Sequence, residues 1–218
     1  MPKRPNKNRR PIVEEFTNLP NMLTLGRIAL IPPVMLLMLA ETRVASFWAA
    51  ILFSIAAITD WLDGYLARKR GLESVLGKLL DPLADKLIVM ATLVVAAELG
   101  QIPGWFVVLL LARELSIGGL RTIASQEGLI IEVVPAGKLK TALQLTGLIA
   151  LILHAPYCVD FIFATAVVNF NAVGFGLLLV SMVFSLVSAG MYFARFMKAI
   201  QVQKAATAQE KSNEPPEG

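Results

Sequence analysis

Long apolar runs dominate this sequence and constrain its fold more than any other feature. The chain is 56% hydrophobic and only 17% charged, whereas a soluble domain carries about 25% charged residues. Six of the runs approach the length that a helix needs to cross a bilayer, at roughly residues 22–40, 45–67, 78–99, 104–126, 138–156 and 172–197. The sequence therefore predicts an all-α integral membrane protein with six transmembrane helices.

Basic residues are concentrated in the loops that lie on one side of the membrane in the predicted six-helix arrangement. The N-terminus, the 68–78 loop and the segment leading into Lys138 and Lys140 are basic, whereas the alternate connections carry only Arg43. Because basic loops stay in the cytoplasm, both termini are expected there. We expect three parts: a basic cytoplasmic arm over 1–15, a membrane domain over 16–200 that begins with a short interfacial segment, and a disordered cytoplasmic tail over 201–218.

The basic arm and the residue counts limit the partners and cofactors. A basic arm is compatible with nucleic-acid binding, but beside membrane helices it favours an anchor at anionic lipid, so no nucleic acid is expected. The chain has one cysteine, Cys158, and one histidine, His154. This excludes a disulfide within the chain and a zinc site of several Cys and His residues, so that any metal needs oxygen ligands.

Four aspartates interrupt the apolar sequence where two predicted helices meet. Helical spacing places them, with small residues, in two stripes that consist of Asp60, Asp63, Gly64 and Ala67 on one helix and Gly77, Asp81 and Asp85 on the next. The short connection predicts an antiparallel pair whose stripes face each other. Nearby carboxylates repel one another unless a cation lies between them, and oxygen ligands suit Mg²⁺, Mn²⁺ or Ca²⁺. The small residues leave room for a ligand that carries phosphate.

Two other interpretations of the aspartates remain open at this point. They can form interhelical salt bridges with Arg68, Lys78 and Lys86, as intramembrane charges often do. They can also form a proton or ion pathway, although such a pathway needs carboxylates spread through the membrane depth. Salt bridges alone do not require two aspartates on each helix with small residues beside them.

A second group of charges lies on later helices. Arg113 and Arg121 are eight residues apart and therefore lie on similar faces of one helix, and Lys138 and Lys140 open the next. Cytoplasmic anchoring is one explanation of the lysines, but it explains Arg113 poorly because that residue lies well inside an apolar run. A cluster of arginine and lysine suits a second anionic phosphate.

The spacing of the aspartate segment resembles a family signature. Residues 60–85 follow the pattern D-x2-D-G-x2-A-R-x8-G-x3-D-x3-D, which is similar to that of the CDP-alcohol phosphatidyltransferases. The resemblance implies that the four aspartates hold Mg²⁺ or Mn²⁺ against a CDP-linked lipid and that Asp85 is the general base. It further implies a set of residues that admit the nucleotide, namely Gly64, Ala67, Arg68 and Gly77.

Three further segments resemble the branch of that family that makes phosphatidylglycerophosphate. They are NLPNMLTLGR (18–27), ARELSIGGLRTIASQEG (112–128) and GKLKTALQ (137–144). The implied reaction joins CDP-diacylglycerol and glycerol 3-phosphate, with the acceptor phosphate held by Arg113, Arg121, Lys138 and Lys140. Asn21 and Thr24 are expected to line the nucleotide entrance with Arg27, which is alternatively a snorkelling anchor.

The sequence leaves other functions open. A transferase of the same family that uses inositol phosphate or another alcohol is one alternative, and a membrane transporter or scaffold with structural aspartates is another. The family resemblance implies a homodimer among membrane lipids. A basic start without a transit-peptide pattern favours a bacterial inner membrane, with the active site on the cytoplasmic side.

Overall fold

The computed structural model describes residues 19–70, 75–127, 136–161 and 164–212. At some positions within these ranges only the backbone is described, at residues 19–21, 60–70, 75–83, 85, 136–138, 157–161, 164–166 and 204–212. The predicted N-terminal arm and nearly all of the interfacial segment lie outside the described residues.

Six helices and one strand pair make up the described chain. The elements are α1 Leu19–Leu39, α2 Arg43–Arg70, α3 Val75–Glu98, α4 Gly104–Gln126, α5 Ala136–Leu153, β1 Pro156–Phe161, β2 Ala164–Asn169 and α6 Phe170–Ser212. Each of the six predicted apolar runs therefore forms a helix, and the boundaries differ from those expected by a few residues except at the end of α6.

Helix ends occur where the sequence supplies the necessary backbone or capping chemistry. Gly100 has φ 69°, and the amides of Gly100 and Gln101 bond back to the carbonyls of Ala97 and Ala96, which closes α3 with a left-handed glycine. Thr42 Oγ1 accepts a hydrogen bond from the Ala45 amide at 3.2 Å and caps α2. Asn169 Oδ1 accepts one from the Ala172 amide at 3.2 Å and caps α6.

The chain separates into two compact units that share α5 and α6. The first contains the described residues up to Pro103 together with 147–175. In this unit α1 packs against both α2 and α3, and α2 also contacts α3. Val34 and Met38 of α1 and Phe53 of α2 are buried in its core. The aspartate-bearing helices are therefore adjoining elements that share α1 as a neighbour.

The second unit contains α4, the first part of α5 and the part of α6 that begins at Gly176. Its buried residues on α4 recur at helical spacing and include Phe106, Leu110 and Ile117. Leu178 and Met182 are buried on α6. This unit holds the described basic residues of the predicted acceptor site.

The expectation of an all-α chain is wrong between α5 and α6. β1 and β2 form an antiparallel pair whose register runs from Pro156↔Asn169 to Phe161↔Ala164. Both strands are rich in the β-branched and aromatic residues that favour extended backbone, as PYCVDF and ATAVVN show. From the sequence, this segment is expected only as a connection between the last two predicted helices.

Helix α6 continues without a break through Ser212 and so covers the first part of the tail that is expected to be disordered over 201–218. The segment QVQKAATAQEKS contains no proline or glycine, and alanine, glutamine, lysine and glutamate all have good helix propensity. Residues 213–218 lie outside the described part.

Two of the described helices are long and apolar enough to cross a membrane, over Met22–Leu39 and Phe170–Gln203. Shorter apolar helical segments occupy Arg43–Thr59 and Leu139–Leu153. Pro32 and Pro33 lie inside α1, a feature that membrane helices tolerate because neighbouring groups can satisfy the freed carbonyls. The structure is thus mostly helical and contains two candidate membrane spans.

Candidate functional site

The four predicted metal ligands lie on two adjoining helices. Asp60 and Asp63 are in the C-terminal part of α2, with Gly64, Ala67 and Arg68 following them, and Asp81 and Asp85 are in the N-terminal half of α3 after Gly77. A short connection separates the two helices, which contact each other and both pack on α1. The side chains of these aspartates lie outside the described part, so the predicted facing of the two stripes stays a prediction.

Residues of α1 and α3 in the first unit are buried. Ala84, between Asp81 and Asp85, is fully buried, as is Thr24 on α1. Arg27 is only 2% exposed, which argues against its alternative role as a snorkelling anchor because such an anchor reaches the interface. The side chain of Asn21, the other expected entrance residue, is outside the description. Helix α1 therefore contributes buried polar residues to the same unit as the aspartate helices.

A charged cluster in the second unit joins α4 to α5. Glu114 Oε2 accepts hydrogen bonds from Arg113 Nη1 at 2.8 Å and from Lys140 Nζ at 2.5 Å. Two contacts with α6 complete the cluster: Arg113 Nε donates to the carbonyl of Ser185 at 3.1 Å, and Ser181 Oγ donates to the carbonyl of Lys140 at 3.0 Å. Three helices thus hold Arg113 and Lys140 at one place.

Burial distinguishes Lys140 from an ordinary cytoplasmic anchor. Its side chain is 8% exposed and that of Arg113 is 11% exposed. A lysine that only marks the cytoplasmic side extends its ammonium group to water or to lipid head groups. Lys140 instead turns into the helix cluster and pairs with a carboxylate, so anchoring does not explain its position.

Of the other two predicted acceptor residues, the structure describes the side chain of Arg121 but not that of Lys138. The guanidinium carbon of Arg121 lies 5.7 Å from the centroid of the Tyr192 ring, which joins α4 to α6 through a cation–π contact. The side chain of Lys138 is outside the description. The structure therefore brings Arg113 and Lys140 together through Glu114 and places Arg121 on an aromatic ring of the same unit.

Sequence reasoning missed several residues of this cluster, namely Glu114, Ser181, Ser185 and Tyr192. Glu114 was visible only as a second charge next to Arg113, and adjacent residues on a helix do not face each other. The two serines recur four residues apart in an apolar helix, and both are nearly inaccessible. That spacing is the signal that marks a polar seam on α6.

The donor set of the aspartate segment fits a divalent cation. Four carboxylates on two adjoining helices provide the oxygen ligands that Mg²⁺ and Mn²⁺ prefer. Among the described side chains, no group of three His, Cys, Asp or Glu residues could hold a metal. The side chains of Asp60, Asp63, Asp81 and Asp85 are not among those described, so their assignment as the metal ligands stays a prediction.

These features describe a mostly helical chain with two candidate membrane spans, acidic helices in one unit and a buried cation cluster in the other. The family model of the CDP-alcohol phosphatidyltransferases matches residues 17–187, and the chain belongs to this family.

The similar proteins with curated names point to one branch of it. A CDP-diacylglycerol–glycerol-3-phosphate 3-phosphatidyltransferase of Bacillus subtilis is 39% identical over 198 residues, which cover 84% of this chain and 97% of the relative. A chloroplastic/mitochondrial enzyme of that name from Arabidopsis thaliana is 39% identical over 201 residues, with 84% of this chain and 64% of the relative covered. A Rickettsia bellii enzyme of that name is 40% identical over 136 residues, with coverages of 62% and 75%.

Proposed function

We propose that this protein transfers the phosphatidyl group of CDP-diacylglycerol to glycerol 3-phosphate, giving phosphatidylglycerophosphate and CMP. The observation that carries the proposal is the complete aspartate signature over residues 60–85 in a chain that aligns with nearly the whole length of the Bacillus subtilis relative. The buried cations of the second unit support a phosphorylated acceptor, because a neutral alcohol needs no such cluster.

The chemistry divides between the two groups of residues. Asp60, Asp63, Asp81 and Asp85 would hold the divalent ion, which neutralises charge on the pyrophosphate of the CDP-lipid when it is bound. Gly64, Ala67, Arg68 and Gly77 would admit the nucleotide, with Asn21 and Thr24 at its entrance. Arg113, Arg121, Lys138 and Lys140 would bind the phosphate of the acceptor.

Asp85 is the proposed general base. It takes the proton from the acceptor hydroxyl, and the hydroxyl oxygen forms a bond to the phosphorus that carries diacylglycerol. The bond from that phosphorus to the bridging oxygen breaks, and CMP leaves with its electron pair. The acceptor cations contribute by orientation, since a bound phosphate fixes the position of the hydroxyl relative to the reacting phosphorus.

The proposal includes a membrane arrangement. We propose that all six helices cross the membrane, with both termini and the active site in the cytoplasm and the β1–β2 hairpin on the opposite side. Support comes from the basic loops on one side and from the apolar segments of four of the helices. A bacterial inner membrane and a homodimer are parts of the same proposal.

An acceptor panel tests the reaction. The purified full chain is incubated with CDP-diacylglycerol and Mg²⁺ or Mn²⁺, and separately with glycerol 3-phosphate, inositol 1-phosphate, serine or phosphatidylglycerol, while CMP release and the mass of the lipid product are measured. Glycerol 3-phosphate is expected to support turnover, and EDTA to abolish it until metal is restored. Exclusive turnover of another acceptor would contradict the acceptor assignment and leave the family unchanged.

A matched pair of variants controls the panel. Asp81→Asn is expected to lower turnover by at least about 10²-fold, because it removes a charged metal ligand. Glu98→Gln makes the same chemical change at an exposed position on the same helix and is expected to keep wild-type turnover. Substantial activity in Asp81→Asn would show that the metal ligands are assigned wrongly.

A further inference from the structure

Glu114 is the carboxylate that connects the two buried cations of the second unit. It lies on α4 next to Arg113, and its Oε2 atom accepts one hydrogen bond from that residue and one from Lys140 on α5. The link to Lys140 crosses between helices over 26 positions of sequence. A single oxygen atom thereby sets the distance between a guanidinium and an ammonium group.

The burial of the two cations makes this carboxylate necessary. Arg113 and Lys140 keep only 11% and 8% of their side chains exposed, so that bulk water screens their mutual repulsion weakly. A carboxylate hydrogen-bonded to both offsets that repulsion and part of the cost of removing the charges from water. Removing it would leave two like charges in a confined space without the carboxylate that links them.

Contacts with α6 fix Arg113 at its guanidinium group and Lys140 at its backbone. The Ser185 carbonyl holds Arg113 through Nε, and Ser181 anchors the backbone of Lys140. Among the described residues, none accepts a hydrogen bond from Arg113 Nη2, and Lys140 Nζ donates only to Glu114. The cluster thus holds both cations while it leaves donors of each available for an anion.

We propose that Glu114 is the positioning residue of the acceptor site: it holds Arg113 and Lys140 so that their remaining N–H donors converge on the phosphate of the acceptor. The inference rests on the proposed function and adds a residue to it. Glu114 itself carries a negative charge and does not bind the phosphate. Its effect passes through the two cations, and a substitution should therefore change acceptor affinity and not the affinity for the CDP-lipid.

The test begins with Glu114→Gln and the matched control Glu127→Gln, which makes the same change at an exposed position just after α4. For Glu114→Gln, the KM for glycerol 3-phosphate is expected to rise roughly 10- to 100-fold, as for the loss of a hydrogen bond between charged groups. The KM for CDP-diacylglycerol should stay within about twofold, and the control should resemble wild type. An unchanged or lower KM for glycerol 3-phosphate would overturn the proposal.

A double variant separates positioning from a purely structural role. Because Glu114 also holds Arg113, Glu114→Gln combined with Lys140→Met should raise the KM for the acceptor by less than the product of the two single effects. If the increase in acceptor KM of the double variant equals the product of the two single increases, Glu114 does not act through Lys140. If Glu114→Gln does not yield folded protein, Glu114→Asp against Glu127→Asp carries the same test, because the shorter side chain keeps the charge and shifts the oxygen. An unchanged acceptor KM in Glu114→Asp would then overturn the proposal.

The wild-type acceptor panel distinguishes failure of this inference from failure of the proposed function. If wild type uses a phosphorylated acceptor other than glycerol 3-phosphate, the proposed acceptor is wrong and the Glu114 variants are judged by the KM of the acceptor that is used. Exclusive use of an unphosphorylated acceptor would overturn both. Normal turnover of glycerol 3-phosphate with an unchanged KM in the Glu114 variants would overturn only the positioning role.

Discussion

Two buried serines on α6 allow the contribution of one hydrogen bond to stability to be measured, because only one of the two hydroxyl groups makes a hydrogen bond within the described part of the chain. Ser181 Oγ donates to the carbonyl of Lys140 at 3.0 Å, whereas Ser185 Oγ is sealed from solvent without a hydrogen-bond partner among the described residues. Ser181→Ala should therefore lower stability by about 0.6 kcal/mol, the average for hydrogen bonds between membrane helices, and by at most ~1.7 kcal/mol. Ser185→Ala should leave stability unchanged or raise it, because it removes an unsatisfied hydroxyl and keeps the backbone carbonyl that binds Arg113.

The measurement is the midpoint of thermal unfolding of both variants in one detergent. The substitutions make the same chemical change four residues apart on one helix, so that each controls for the other. Equal losses in the two proteins would show that side-chain volume, and not the hydrogen bond to Lys140, determines the stability of this seam.

Single residues also show how far sequence reasoning reaches. Arg113 is predicted as an acceptor residue because cytoplasmic anchoring explains poorly an arginine that lies well inside an apolar run, and the structure gives it contacts with Glu114 and Ser185. Its binding to an acceptor phosphate stays a prediction. The ion pairs of Arg113 and Lys140 with Glu114 are not predictable from the sequence. Glu114 is the sequence neighbour of Arg113, and Lys140 reaches this pair from another helix. Side-chain contacts between different helices depend on how the helices pack, and the spacing of residues in one sequence does not show that packing.

At the scale of elements, the crossing of α5 and α6 depends on one glycine. A Cβ atom at Gly174 would lie 2.8 Å from both the Gly147 carbonyl oxygen and the Leu151 amide nitrogen, which are backbone atoms that cannot move aside cheaply. Gly174→Ala is therefore expected to destabilise the protein by about 1–3 kcal/mol, the usual cost of overpacking a core. At Gly176 a Cβ atom would meet no other atom within 4 Å.

Comparison of the two alanine variants by thermal unfolding in detergent tests the crossing. Gly176→Ala should be neutral or slightly stabilising, because alanine has the better helix propensity and open space surrounds it. If Gly174→Ala were as stable as Gly176→Ala, the close approach of the two helices would be wrong.

Helices were more predictable than the strand pair between them. The breaks at Gly100 and before α2 followed from local chemistry, since a left-handed glycine and a capping threonine act within a few residues. The β1–β2 hairpin was missed because its segments are short and apolar, a pattern that periodicity alone does not assign to either helix or strand. The helical extension to Ser212 was missed because a polar composition suggested disorder, although the residues themselves favour helix.

At the scale of the whole molecule, the proposed six spans place the hairpin and the end of α6 on opposite sides of the membrane. Helix α6 has 43 residues, which at 1.5 Å per residue is about 65 Å and well beyond the ~30 Å hydrocarbon core. Its C-terminal part should therefore extend into the cytoplasm. Because Cys158 is the one cysteine of the chain, Cys158→Ser provides a background in which a single new cysteine reports its side.

Two single-cysteine variants test this topology. Val167→Cys marks an exposed position on β2, at 69% exposure, and Ser212→Cys marks the end of α6. In intact bacterial cells a membrane-impermeant maleimide should label Val167→Cys and spare Ser212→Cys, and in inside-out vesicles the pattern should reverse. Denatured samples control for intrinsic reactivity, and turnover in each variant shows that the labelled protein is folded. Labelling of both positions from the same side would contradict a membrane crossing by α6, and the six-span arrangement with it.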